Sequence, residues 1–482
     1  MGRYILLLIV LTGCFGAQGQ ELVKSFPVKL SNKYFDYEIV GKNDMGIVIH
    51  HYNSNDHMLE LLNDNLRSVM KKELNLRDKT VKLEDLVTVN GGVFAFYSQL
   101  LNGKQYLKAR LVNEYLETSY TAITLDSMVQ SSFDGFDPFY IKSAPDNRSI
   151  ATFSIYDEKG FFAIKYKVFN DTLKLINSGN FELQGRDFVL KSFKINNKGK
   201  ILAVVAHTAK ASDVFEYEYD ALHIFVYDPE TGIATKSEIA EENVMYKQII
   251  TELSSKNNFC NVAACYKTKT NGKDEVGILV AKVEKDVTLS KIPFTKEQVA
   301  QIHNYDFKDW IQQASIIKPK KIIPRSDGGC VLIMEGQYQY TRVVRTVPTN
   351  VYYYGDSYMR LYDQNHYFDI LTYSLSADGN LNWQSVSPKV QVTEGDGGLY
   401  SSYIMYEANN VLKFLFNEDI YNNGNFIEYN INPLGNQKRI SLFNSDKENL
   451  TLIPQKGKQI SGNMVLIPSE QKRNLQFVLF KY

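Results

Sequence analysis

Short apolar stretches, separated by small and turn-forming residues, recur along most of this chain, and their spacing predicts strands rather than helices. The second copy shows the grammar. Asn90-Gly91-Gly92 leads into Val93-Phe94-Ala95-Phe96-Tyr97, Asn102-Gly103 turns the chain into the amphipathic run 106–112, and 117–123 ends the copy. Asn-Gly between two apolar runs is a strong hairpin signal, because both residues tolerate positive φ. Comparable pairs of runs lie at 45–50 and 58–62, 201–205 and 222–227, 327–334 and 368–375, and 410–416 and 426–431. A period of roughly 40–55 residues is that of a propeller or a similar array.

The expectation is therefore an all-β fold, a single β-propeller over residues 20–482, with eight blades preferred and seven if two weak copies merge. A pair of stacked sandwiches is the alternative. The last copy offers only 462–467 and 475–480, so an N-terminal strand, read at 26–30, is expected to close the ring. Helix is scarce: 64–72 has a partly helical pattern, and 295–302 reads as a short helix capped by Thr295.

Composition changes the picture little. Fifty-four basic and 54 acidic side chains leave no net charge, which speaks against nucleic acid as a partner. The N-terminus says more. Arg3 and Tyr4 precede an apolar run over 5–11 and then small residues, the layout of a secretory signal over residues 1–19. Ala17 and Gly19 suit cleavage before Gln20, whereas Leu11-Thr12-Gly13-Cys14 reads as a lipobox in which Cys14 carries the lipid. Either way the protein is expected to be exported, to the periplasm, the outer membrane or the medium, and any membrane contact would run through that anchor. Cys260, Cys265 and Cys330 cannot form a complete disulfide framework, so they read as small buried residues.

One block, 327–423, carries a resemblance. Asp327-Gly328-Gly329 with Glu335, Asp369-Ile370, Asp378-Gly379, Trp383, Pro388-Lys389, Asp396-Gly397-Gly398, Ser401-Ser402-Tyr403 and 416–419 resemble uncharacterised exported propeller-like proteins of Gram-negative bacteria. The resemblance implies fold and export, and brings no catalytic residues with it.

Chemistry is harder to find. The chain has no Gly-x-Ser-x-Gly elbow and no phosphate-binding Gly-rich loop. His50 and His51 are strand neighbours facing opposite sides, so they do not make one metal site with His57. Glu335 and Asp369 sit on paired runs and are the candidate carboxylates for carbohydrate chemistry. Asn417, Glu418 and Asp419 with Asn422 and Asn423 offer oxygen ligands for calcium but lack a spaced calcium loop, so no cofactor is expected. The unusual segment is 337–367, rich in tyrosine and arginine. Tyr340, Tyr352, Tyr353, Tyr354 and Tyr358 with Arg342 and Arg345 read as a binding surface on an extended hairpin. A smaller excursion over 209–220 brings Phe215 and Tyr217. The functional expectation is a monomeric recognition or scaffold protein of the cell envelope, with a protein or glycan partner; a carbohydrate-active enzyme is the alternative.

Overall fold

A computed structural model of the chain describes residues 21–76, 81–129, 139–158, 160–213, 216–255, 259–270, 273–302, 309–346, 358–420 and 424–482. The signal segment 1–19, with Cys14, lies outside them. Among the described residues the fold is all-β. Strands run in antiparallel groups of four, here units 1–8, over 36–73, 81–129, 140–184, 188–240, 244–293, 317–387, 404–444 and 458–481. The ladders of units 4 and 5 run into one sheet through a bridge between Tyr219 and Tyr246. Unit 8 has three strands of its own and receives Glu21–Lys24 as its outer strand, Glu21 opposite Lys481 and Lys24 opposite Val478.

Two sequence expectations change here. The N-terminal partner strand lies mainly at Glu21–Lys24, and only Val28–Lys29 of the 26–30 run pairs, with Leu475 and Asn474. The stretch 64–72 is not helical. Asn63 folds its side chain onto the backbone N–H groups of Asn65 and Arg67, and Ser68–Glu73 then pairs with His57–Leu62. The capped helix is found, as Lys296–Gln301, with reciprocal bonds between Thr295 and Gln298. No helix among the described residues is long and apolar enough to cross a membrane. Asn102 and Gly103 both take positive φ, 51° and 73°, as their hairpin requires.

Strand alternation explains how the units stack. On the second strand of unit 1, Ile47 and Ile49 join Leu466, Phe477 and Leu479 of unit 8, while Val48 joins Val93 and Ala95 of unit 2. Phe94 and Phe96, one residue out of phase, join Ile141 and Ile150 of unit 3. The same bipartite packing continues to the boundary between units 7 and 8, where Phe426 meets Val478 and Phe480. Each central strand is thus buried on both faces, which is why it reads as a continuous apolar run. The first unit packs on the last.

The sequence pattern predicts three strands per copy, and the structure has four. The missed one comes first, before the apolar run: Asp36–Asn43 in unit 1, Val81–Val89 in unit 2, Ile317–Pro324 in unit 6. These first strands adjoin those of neighbouring units, while fourth strands such as Ser68–Glu73 and Ile233–Ala240 face solvent.

Candidate functional site

In a four-stranded meander, connections alternate between the two ends of the sheet. The turns between second and third strands therefore share one end of the molecule, and two of them are long ribbons. Cys330–Thr346 pairs with Tyr358–Leu375 in unit 6, and Ile201–Asp213 pairs with Glu216–Asp228 in unit 4. The larger ribbon is supported on its flank by Gln391–Glu394, which pairs with residues as far as Gln364. Beyond that point it continues from the pair Arg342–Tyr362 to the pair Thr346–Tyr358, roughly 14 Å at the rise of a strand. Arg342, Arg345 and Tyr358 lie on this unsupported part, Tyr340 just below it is half exposed, and Tyr217 lies on the smaller ribbon opposite Ala211. Tyr352, Tyr353, Tyr354 and Phe215 lie outside the described residues.

The base of the larger ribbon is a buried polar knot. A register shift at Gly336 sets Glu335 into the sheet interior, where a Cβ on Gly336 would come within 2.8 Å of Phe368. The Glu335 carboxylate accepts from Lys389 Nζ at 2.8 Å, from Ser402 Oγ at 2.8 and 3.0 Å, and faces Lys320 Nζ at 3.3 Å. Lys389 also donates through Nζ to Gln391 Oε1 at 3.1 Å and through its backbone N–H to Asp369 Oδ1 at 2.8 Å. Burial pushes the Lys389 ammonium below its usual range, against the attraction of Glu335. The structure does bring Glu335 and Asp369 together, about one lysine. Both are wholly inaccessible, however, so no substrate reaches them in this arrangement. Asn417, the first of the calcium candidates, is also buried, and its amide donates to the carbonyls of Tyr400 and Leu452. Glu418 pairs with Arg439, and Asn422 and Asn423 lie outside the described residues.

A second polar set escaped the sequence reading. Every first strand carries an ionisable side chain: Glu38, Asp85, Lys142, Lys194, Glu252, Lys321, Glu407 and Lys458, in unit order. They fall into two groups: Asp85 of unit 2 feels Glu38, Lys142 and Lys458 of units 1, 3 and 8, and Lys321 of unit 6 feels Glu252, Lys194 and Glu407 of units 5, 4 and 7, so each group draws on non-adjacent units. Six of the eight are solvent-exposed, yet the surrounding protein desolvates Lys321 and Lys458 enough to lower their pKa and raises that of Asp85. Four acids and four bases balance. The signal was present in the sequence as a charged residue beside apolar ones a few positions before each central strand.

The histidines form relays instead of chelates. His50 Nδ1 lies 2.7 Å from Glu38, its Nε2 lies 3.0 Å from His57 Nδ1, and His51 turns the other way to Glu60 at 2.8 Å. No group of three metal-ligating side chains stands together among the described residues. Burial first, and then the neighbouring His50, depress His57 to about 4, while Asp56 and Glu38 pull weakly upward. Unfolded His57, near 6.5, binds a proton between pH 6.5 and 4 that the folded form refuses, so stability falls as pH drops through that window. With allowance for partial exposure the effect is about 1–2 kcal/mol. Urea midpoints at pH 7 and pH 4.5 are expected to differ less for His57→Gln than for the wild type; equal differences would overturn this assignment.

The sequence matches no known family model and no curated protein. Among solved structures, the chain is similar to prolyl oligopeptidase B from Galerina marginata at 9% identity and a TM-score of 0.40, over 94% of this chain and 55% of that one. It thus spans about half the length of that protein. It is also similar to the β-propeller domain of the Trilobed protease from Pyrococcus furiosus (12% identity, TM-score 0.29, 75% of this chain and 98% of that one). A third is the β-propeller domain of Nup133 from Vanderwaltozyma polyspora (9% identity, TM-score 0.35, 82% and 100%).

Proposed function

We propose that the chain is a closed propeller of eight blades, exported to the cell envelope, where it acts as a recognition or scaffold module for a protein or glycan partner. The ring is supported by the packing of the first unit on the last and by the strand Glu21–Lys24 laid on the outer edge of unit 8. Closure leaves no wide sheet edge open and makes the body a rigid stage. The single observation that carries the recognition role is the unit 6 ribbon, which keeps its strand pairing well past its last flanking neighbour. A ribbon of this kind gains no core there, and its tyrosines and arginines are the residue types that dominate binding hot spots. The buried state of Glu335 and Asp369 gives no support to the enzymatic alternative through those acids.

The test is to replace 342–362 by Asn-Gly, a two-residue turn fitted between the paired Thr341 and Asp363. The variant is expected to keep its melting temperature and to lose binding to isolated envelope fractions. Binding equal to that of the wild type would sink the recognition reading.

A further inference from the structure

At the end of the sheets opposite the ribbons, units 5, 6 and 7 enclose a cleft of about 750 Å³. Sites for small ligands span roughly 300–1,000 Å³, so the cleft is of ligand size. Two of its features point to a ligand of a particular kind.

The first is a rigid aromatic wall. Trp383 borders the cleft, and its Nε1 donates to the carbonyl of Pro433 at 3.0 Å. Gly435, at φ 83°, lies so close to the indole that a Cβ there would come within 2.7 Å of the ring. The ring is held from both its edge and its back, and a fixed indole loses little freedom when a ligand stacks on it.

The second is the balance of polar groups. A register shift between Pro319 and Lys321 gives adjacent lysines different tasks. Lys320 turns to Glu335 and Gln337, whereas Lys321 lines the cleft with no hydrogen-bond or ion-pair partner among the described residues. Arg325 is occupied by Asp327 and by Ser374 Oγ at 2.6 Å, and Glu252 lies 3.4 Å from Lys194. Among the charged side chains of the cleft, that leaves Lys321 as a donor and Glu407 as an acceptor, of opposite sign. A polyanion or polycation meets no excess charge here. A polyhydroxylated ring satisfies both groups, since each hydroxyl both donates and accepts.

We infer that this cleft binds a short, uncharged oligosaccharide, stacked on Trp383 and hydrogen-bonded by Lys321 and Glu407. The inference rests on the recognition role proposed above and moves its glycan contact from the ribbon to the opposite face. The chain has only two tryptophans, so Trp310→Phe leaves Trp383 as the sole indole reporter. Cellotriose, maltotriose, laminaritriose and chitotriose are titrated into that variant to ~10 mM, a range that reaches millimolar affinity. At least one is expected to give a saturable change in indole emission. The added substitution Lys321→Ala is expected to weaken it about 10-fold, the worth of a hydrogen bond to a charged donor. The added ribbon replacement 342–362 is expected to leave it unchanged. No response to any of the four, or a response only to the acidic trigalacturonate, overturns the inference. So does binding that Lys321→Ala leaves intact. A response abolished by the ribbon replacement alone overturns the cleft while leaving the ribbon as the recognition element.

Discussion

Lys389→Met is expected to destabilise the folded protein by about 3–5 kcal/mol, the usual result of stranding one charge of a buried pair. Lys389 and Glu335 are both sealed from solvent, and Lys389 supplies the only wholly buried cation among the described residues that faces the carboxylate. Without it, Glu335 keeps Ser402 Oγ and the partly exposed Lys320, too little to replace the lost water. Gln391 loses a donor at the same time, and Gln391 begins the strand that flanks the ribbon. The double variant Lys389→Met with Glu335→Leu is expected to recover most of the loss, since a buried ion pair exchanged for apolar side chains of similar size is often neutral or better. Urea denaturation of the two variants beside the wild type measures both effects. A single-variant loss below about 1 kcal/mol would mean that water reaches Glu335, and would reopen the case for it as a chemically active acid.

The same knot shows what the sequence could and could not disclose. The pairing of 330–334 with 371–375 was legible, because both runs are apolar and flanked by turn residues, and so was the ribbon above them, because 337–367 lies between those two paired runs. The partnership of Glu335 with Lys389 was not. Lys389 reaches Glu335 through a short crossing segment that follows the outer strand Leu381–Ser387, and no periodicity links positions 54 residues apart. The loss of every first strand from the sequence reading has a local cause. Most of these strands are interrupted by register shifts, as at Ile39–Gly41, Leu83–Asp85, Leu190–Ser192 and Pro319–Lys321, and each strand places a charge where a half-buried strand would show an apolar residue. A bulge breaks the period of two, and a shared polar interior breaks the apolar pattern. The features that hide these strands from pattern reading are those that bring Glu38, Asp85 and Lys458 together, and Lys194, Glu252, Lys321 and Glu407. The helix expected at 64–72 failed for a related reason: a strand with most residues exposed has no apolar face to announce its period.

Removal of Glu21–Lys24, so that the chain begins at Ser25, is expected to be the other large loss. The segment supplies a four-residue ladder along 478–481, and Leu22 packs on the cluster that contains Leu450, Val478 and Phe480. A few backbone hydrogen bonds at about 1 kcal/mol each, with one half-buried leucine, sum to about 3–5 kcal/mol. Energy is the smaller part of the consequence. The deletion would expose the outer edge of Asn474–Lys481, whose residues Phe477, Val478, Leu479 and Phe480 form a near-continuous apolar run. A bare edge of that composition is a template for a second chain. The truncated protein is therefore expected to unfold at lower urea and to elute progressively earlier from a sizing column as its concentration rises, while the full chain does neither. Adding Lys to the bared edge, as Val478→Lys, does not rescue stability, because Val478 faces the boundary between units 7 and 8; a synthetic peptide with the sequence 21–24 and its neighbours supplied in excess should. If the truncated chain matches the full one in midpoint and elution, the last sheet is complete with three strands, and a ring sealed by its own N-terminus is the wrong description of this fold.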